Sequence, residues 1–248
     1  MVESSSSTRQ ADRQDERESN FMVTENIAAE VEGHEDVLHQ LRTGLSESRI
    51  SIVRHDDGRW YLTGPELDSA GDSSEACEIA TAVVTTLNAT LRMSRKPPIK
   101  FGDRIKQVHE DGSATAKVFL GGTIGVASSA QATLSGGTPE PPTTSLAALA
   151  VEANDPTMRH ALEILANEPH DFVHLYKVYE LMESGGGIAK LGSKKQRGRF
   201  THTADNPDAS GRLSRHATTK NRPPSNPMTL DEARSFIYRM MASWIQGK

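Results

Sequence analysis

The chain reads as an α+β protein: a small antiparallel sheet with a packed helix, followed by a mainly α-helical C-terminal domain. Three observations predict it. Residues 49–55 alternate between apolar and polar, Asp56-Asp57-Gly58 is a hairpin signal, and residues 59–63 return as the partner strand. Residues 73–93 change to a helical period with one continuous apolar face. Beyond a Gly/Pro-rich stretch at 135–145, every apolar pattern is helical.

The elements follow in order. Residues 1–23 are rich in serine and charge and almost free of aliphatic residues, which predicts a disordered acidic tail. An α+β domain is expected over 24–134. In its first part Ile27, Val31, Val37, Leu38, Leu41 and Leu45 loosely follow a helical period, predicting one or two short helices interrupted at Gly33. Arg49–His55 and Arg59–Thr63 are the strands of the hairpin, whose Gly58 supplies positive φ without steric cost. Ser73 or Ser74 is placed to cap a helix running to about Met93, with Ala76, Ile79, Ala80, Val83, Val84, Leu87 and Leu91 on its buried face. Pro97 and Pro98 stop it. Strands are predicted over 99–108 and 114–120 around Glu110-Asp111-Gly112, with a third near 123–128.

Residues 135–145 read as a linker, and 146–248 as a helical domain of about five helices. Asp155-Pro156 is a cap followed by proline at the first helical position, where no N–H is needed. Met158, Ala161, Leu162 and Leu165 give that helix its stripe, and Phe172, Leu175, Tyr176, Val178, Tyr179 and Met182 give the next. Gly185-Gly186-Gly187 ends it. Ser193 with Gln196, and Thr229 with Glu232, have capping-box spacing for a basic helix and for the final helix. Pro223, Pro224 and Pro227 stiffen the crossing between them.

Charge is distributed unevenly in a chain of net charge −5. Residues 1–48 hold eleven acids against four arginines, and residues 186–222 hold nine lysines and arginines against Asp205 and Asp208. The basic part calls for an anionic partner, RNA or another polyanion, or for contact with the acidic part. Cys77 is the single cysteine, so an intrachain disulfide and a Cys-based zinc site are excluded. No apolar run suits a secretory signal or a membrane span, so a cytoplasmic protein without a membrane partner is expected.

No cofactor or metal is predicted. His170 and His174 stand four apart, as zinc ligands on a helix do, but Asp171-Phe172-Val173 between them supplies no catalytic glutamate. Gly121–Gly125 and Gly185–Gly187 lack the Lys-Ser/Thr of a phosphate loop. Ser210 lacks the frame of a nucleophile elbow.

The candidate site is the polar interval 206–216 between two apolar helical patterns. Arg212 and His216 are one helical turn apart, and Arg215 adjoins them. An arginine and a histidine presented together can hold a phosphate and exchange a proton near neutral pH. His202 and Asn206 are supporting candidates, and Lys194, Lys195, Arg197 and Arg199 form a phosphate-steering surface. The alternative is structural: Arg212 and Arg215 pair with Asp205 and Asp208, Asn206-Pro207 is a cap, and His216 closes a helix end.

A helical domain with a short Arg/Asn…His motif ahead of a final amphipathic helix resembles the HEPN superfamily of bacterial defence and toxin proteins. The resemblance covers residues 146–248. It implies a metal-independent ribonuclease acting as a homodimer, in which the RNA 2′-hydroxyl attacks the adjacent phosphate. Arg212 or Arg215 would then stabilise phosphate charge, and His216 would act as acid or base. Arg212 and His216 are separated by three residues where the family has four to six, and Asn206 lies upstream of both. The other reading is a non-enzymatic interaction or ligand-binding module whose helical domain forms oligomers.

Overall fold

The computed structural model describes residues 26–108, 114–118, 143–185, 191–218 and 221–247. The expected tail, the 110–112 turn, the strand near 123–128 and most of the 135–145 stretch lie outside the described residues.

Five antiparallel strands form one sheet: β1 Asn26–Glu32, β2 Ser51–Arg54, β3 Trp60–Thr63, β4 Lys100–Val108 and β5 Ala114–Val118, in the order β2-β3-β1-β4-β5. With the helices it makes the α+β fold that the sequence predicts. The central strand is a correction. Residues 26–32 are extended, and only α1, Glu35–Gly44, is helical in the stretch where one or two helices were expected. Ile27 to Val31 are buried without interruption. A strand covered on both faces shows no alternation, and Ile27 and Val31 imitate a helical i, i+4 pair.

Gly58 turns the β2–β3 hairpin at φ 77°. The short α2, Pro65–Asp68, then delivers the Asp68 carboxylate to the Ile27 N–H at 2.8 Å. The long α3 spans Ser73–Met93, but its cap is Asp72 rather than either serine. Asp72 Oδ1 accepts from the N–H groups of Ser74 at 2.8 Å and Glu75 at 2.9 Å, the two free donors that a cap one position earlier can reach.

Two hydrophobic clusters meet along α3. One fills the space between the sheet, α1 and α3, with Ala29, Ile52, Leu62, Leu87 and Ile105 among its members. The other joins α4 (Thr143–Glu152), α5 (Pro156–Asn167), α6 (Phe172–Ser184), α7 (Lys194–Ala204) and α9 (Leu230–Gln246). α4 begins inside the expected linker and serves both, giving Ala147 to the first and Leu146 and Ala150 to the second. Polar contacts reinforce the junction. Asn88 clasps the backbone of Ile99 through two 2.8 Å bonds, and Arg92 Nη1 donates to the Leu165, Ala166 and Glu168 carbonyls at the end of α5. Those carbonyls have no partner within their own helix.

Gly185 does end α6, but at φ −72°, not in the left-handed form. Its requirement is space: a Cβ there would lie 2.5 Å from the Trp244 ring of α9.

Candidate functional site

The predicted residues sit on α7 and the turns after it. Ser193 opens α7 by accepting the Gln196 N–H at 3.2 Å. Phe200 anchors the helix in the core, ring to ring with Tyr176, Tyr179 and Phe236. Arg199, His202, Thr203 and Asn206 follow at spacings of three, four and seven, which places them along one face.

That face holds down the proline-rich crossing. Arg199 donates to the carbonyls of Asn226 at 2.8 Å and Pro227 at 2.9 Å, and forks onto the Glu232 carboxylate at 3.2 and 2.9 Å. His202 Nε2 meets the Arg222 carbonyl at 2.9 Å. Thr203 Oγ1 accepts from the Met228 N–H at 3.0 Å. Asn206, only 1% exposed, donates to the Asn221 carbonyl at 2.9 Å and accepts the Asp208 N–H at 2.9 Å as the cap of α8, Pro207–Ser210. Glu232 in turn completes a capping box with Thr229, and its carboxyl is held below the usual range by the Thr229 N–H and by Arg199. Arg199, His202 and Asn206 are therefore committed to a strap.

After α8 a single 3-10 turn, Gly211–Leu213, leaves Arg212 and Leu213 exposed. The chain then folds back: the Arg215 N–H donates to the Ala204 carbonyl at 2.8 Å. The Arg215 guanidinium lies 4.1 Å from the centre of the Tyr176 ring, 2.9 Å from Glu180 Oε1 and 3.6 Å from Asp205 Oδ1. His216 Nε2 approaches the same Asp205 oxygen at 3.6 Å. That oxygen is shielded from solvent and carries no hydrogen bond in the structure. Burial raises the Tyr176 hydroxyl above its ordinary pKa, and the Asp205 charge raises it further.

Arg215 and His216 thus converge on one carboxylate, and Arg212 stands apart in solvent with no polar partner among the described residues. Asp205 and Glu180 complete the cluster. Asp205 immediately precedes the polar interval, but Glu180 lies 35 positions from Arg215, and no local spacing could have linked them. In the steering run, Lys194 and Lys195 are exposed, whereas Arg197 donates to the Gly192 carbonyl at 2.9 Å.

His170 and His174 are each spoken for. His170 Nε2 donates to the Leu165 carbonyl at 2.7 Å, which leaves Nδ1 to accept from the Tyr238 hydroxyl. Burial, with the nearby Arg92 charge, lowers the His170 pKa to about 4. His174 Nδ1 faces Asp171 at 2.8 Å and Nε2 faces Glu168 at 3.4 Å. No group of three or more metal-ligating side chains occurs among the described residues. An open groove between α3 and α5, lined in part by Cys77, Glu78, Thr81 and Glu163, shares no residue with the 205–216 cluster. No described helix is long and apolar enough to cross a membrane. No protein-family model, curated protein or solved structure matches this chain.

Proposed function

We propose that the ledge built by the end of α7 and residues 205–216 receives a polyanion, with single-stranded RNA as the substrate class. The observation that carries this is the exposed His216 imidazole beside a buried, unbonded Asp205 oxygen, which Arg215, stacked on Tyr176, also approaches, with Arg212 exposed on the turn before them. An exposed imidazole and an exposed arginine a few residues apart can each supply a contact for phosphate. In its stronger form the reading is metal-independent cleavage of the kind the HEPN resemblance implies. Arg212 would stabilise phosphate charge, and His216 would exchange the proton. A cytoplasmic setting and assembly as a homodimer belong to the same proposal.

Anisotropy titrations with a labelled unstructured oligoribonucleotide at two salt concentrations test the binding. Each phosphate contact steepens the salt slope by about 0.7 for a single strand, so Arg212→Gln should flatten it by roughly that amount. His216→Ala should abolish cleavage while the thermal transition stays in place. Equal turnover by this variant removes the catalytic role, and absence of binding at low salt removes the RNA reading altogether.

A second reading has its own support. Arg199 and Arg215 are neutralised by Glu232, Glu180 and Asp205, which thins the cationic surface the sequence suggests. A non-enzymatic interaction module with an oligomerising helical part then remains, and mass measurement in solution together with failed RNA binding would select it.

A further inference from the structure

The face of the sheet turned away from α1 and α3 carries a second polar construction, independent of the 205–216 ledge. Ala28, Glu30, Tyr61 and Lys106 project from it and belong to neither hydrophobic cluster. Its centre is Glu30, in the middle strand, with a side chain only 3% exposed. Between Phe101 and Ile105, β4 carries three residues, Gly102, Asp103 and Arg104, where β1 carries Glu30 alone. Such interruptions redirect side chains and gather beside functional sites. A Cβ on Gly102 would lie 2.7 Å from Glu30 Cγ, so glycine lets the acid lie across the bulge.

Glu30 Oε1 accepts from Arg59 Nη1 at 2.5 Å. Its Oε2 faces Arg104 Nε at 3.8 Å, and neither of those two buried atoms has a hydrogen bond. Beside them, Asp57 accepts from the Tyr61 hydroxyl at 2.8 Å and from the Arg59 N–H at 3.0 Å. Lys106 Nζ stands 3.8 Å from Asp57, 3.4 Å from His55 Nδ1 and 5.4 Å from the Tyr61 ring centre. Burial, with the Asp57 hydrogen bond, pushes the Tyr61 hydroxyl up to about 12, so it stays a donor.

We propose that this face binds the phosphate group of a small ligand through Arg59, Arg104 and Lys106, with Glu30 as the residue that positions the two guanidinium groups. The carboxylate of Glu30 is spent beneath the surface, whereas the side chains of Arg59 and Arg104 are 41% and 36% exposed. A buried acid in a central strand carries a desolvation cost that an apolar residue would avoid. Holding two arginines in a fixed fork is a function that offsets it. Arg104 Nε is held by charge alone, 3.8 Å from Glu30 and 3.7 Å from Asp103, and makes no hydrogen bond there. Two planar forks and one ammonium match a tetrahedral, multiply charged oxyanion better than a two-oxygen carboxylate.

Isothermal titration of the full chain in low-salt chloride buffer, with inorganic phosphate and with a 5′-nucleoside monophosphate, tests this. Saturable binding is expected, weakened about tenfold by Arg104→Gln and by Lys106→Gln, and unchanged by Arg212→Gln or His216→Ala. Tighter binding of one probe names the source of the phosphate as free anion or ester. Thermal melts establish that the variants fold, and Lys106→Gln decides if Arg104→Gln does not. No saturable binding of either probe overturns the proposal, as does wild-type affinity in both sheet variants. Loss of binding in Arg212→Gln alone would assign the phosphate to the other ledge.

Discussion

Replacing Asn206 with alanine separates a strap from a binding site. The amide carries two bonds, one capping α8 through the Asp208 N–H and one holding the Asn221 carbonyl, and the residue is almost wholly buried. Loss of an Asn cap costs about 1 kcal/mol. Leaving the Asn221 carbonyl without its partner adds about 1–3 kcal/mol. The sum is about 3 kcal/mol, which for a chain of this size lowers the midpoint of thermal unfolding by roughly 6–12 °C. Circular dichroism melts at neutral pH read the shift directly. Asn206→Asp should recover the capping part, since aspartate accepts the same N–H, but not the bond to Asn221. A melting point within a degree of wild type, together with loss of RNA or phosphate binding, would refute the reasoning and return Asn206 to the site.

Two further outcomes follow from the packing. The His170 pKa of about 4 lies below its ordinary 6.5, so between those values the folded state binds fewer protons than the unfolded chain. Stability is therefore complete above pH 6.5 and declines by about 3 kcal/mol as pH falls to 4. Urea midpoints at a series of pH values should show this decline in the wild type and a shallower one in His170→Gln; parallel profiles would exclude His170 as the cause. Gly185→Ala places a methyl 2.5 Å from the Trp244 ring, at a cost of about 1–3 kcal/mol. An unchanged melting point would mean that α6 and α9 move apart freely.

Local chemistry was legible wherever an element's own residues decide it. Asp155 and Pro156, Thr229 and Glu232, and the turn at Gly58 each solve a problem of unpaired or strained backbone within a few residues. The apolar stripes of α3, α5, α6 and α9 were equally plain, because a helix against a core must repeat every three to four residues. β1 was not legible. Its lack of alternation follows from its place at the centre of the sheet, and that place depends on strands far along the chain.

The candidate ledge divides in the same way. Its location between two helical patterns, and the pairing of Arg215 with Asp205 in the structural alternative, could be read from neighbouring positions; Arg212 and His216 do not share a helical face, because a 3-10 turn at 211–213 and a bend follow α8. The roles of Arg199, His202 and Asn206 could not, because they depend on where the 221–228 segment crosses α7. The partners that neutralise Arg215 and Arg199 are Glu180 and Glu232, on α6 and α9.

By itself the sequence determined several helix caps, the apolar faces of α3, α5, α6 and α9, and where positive charge is concentrated, since these depend on backbone sterics and on residues a turn apart. Only the tertiary structure decided which charges remain free for a ligand. Ion pairing is settled by distances across elements: the carboxylates that meet Arg215 and Arg199 come from α6 and α9, and no spacing along the chain announces them.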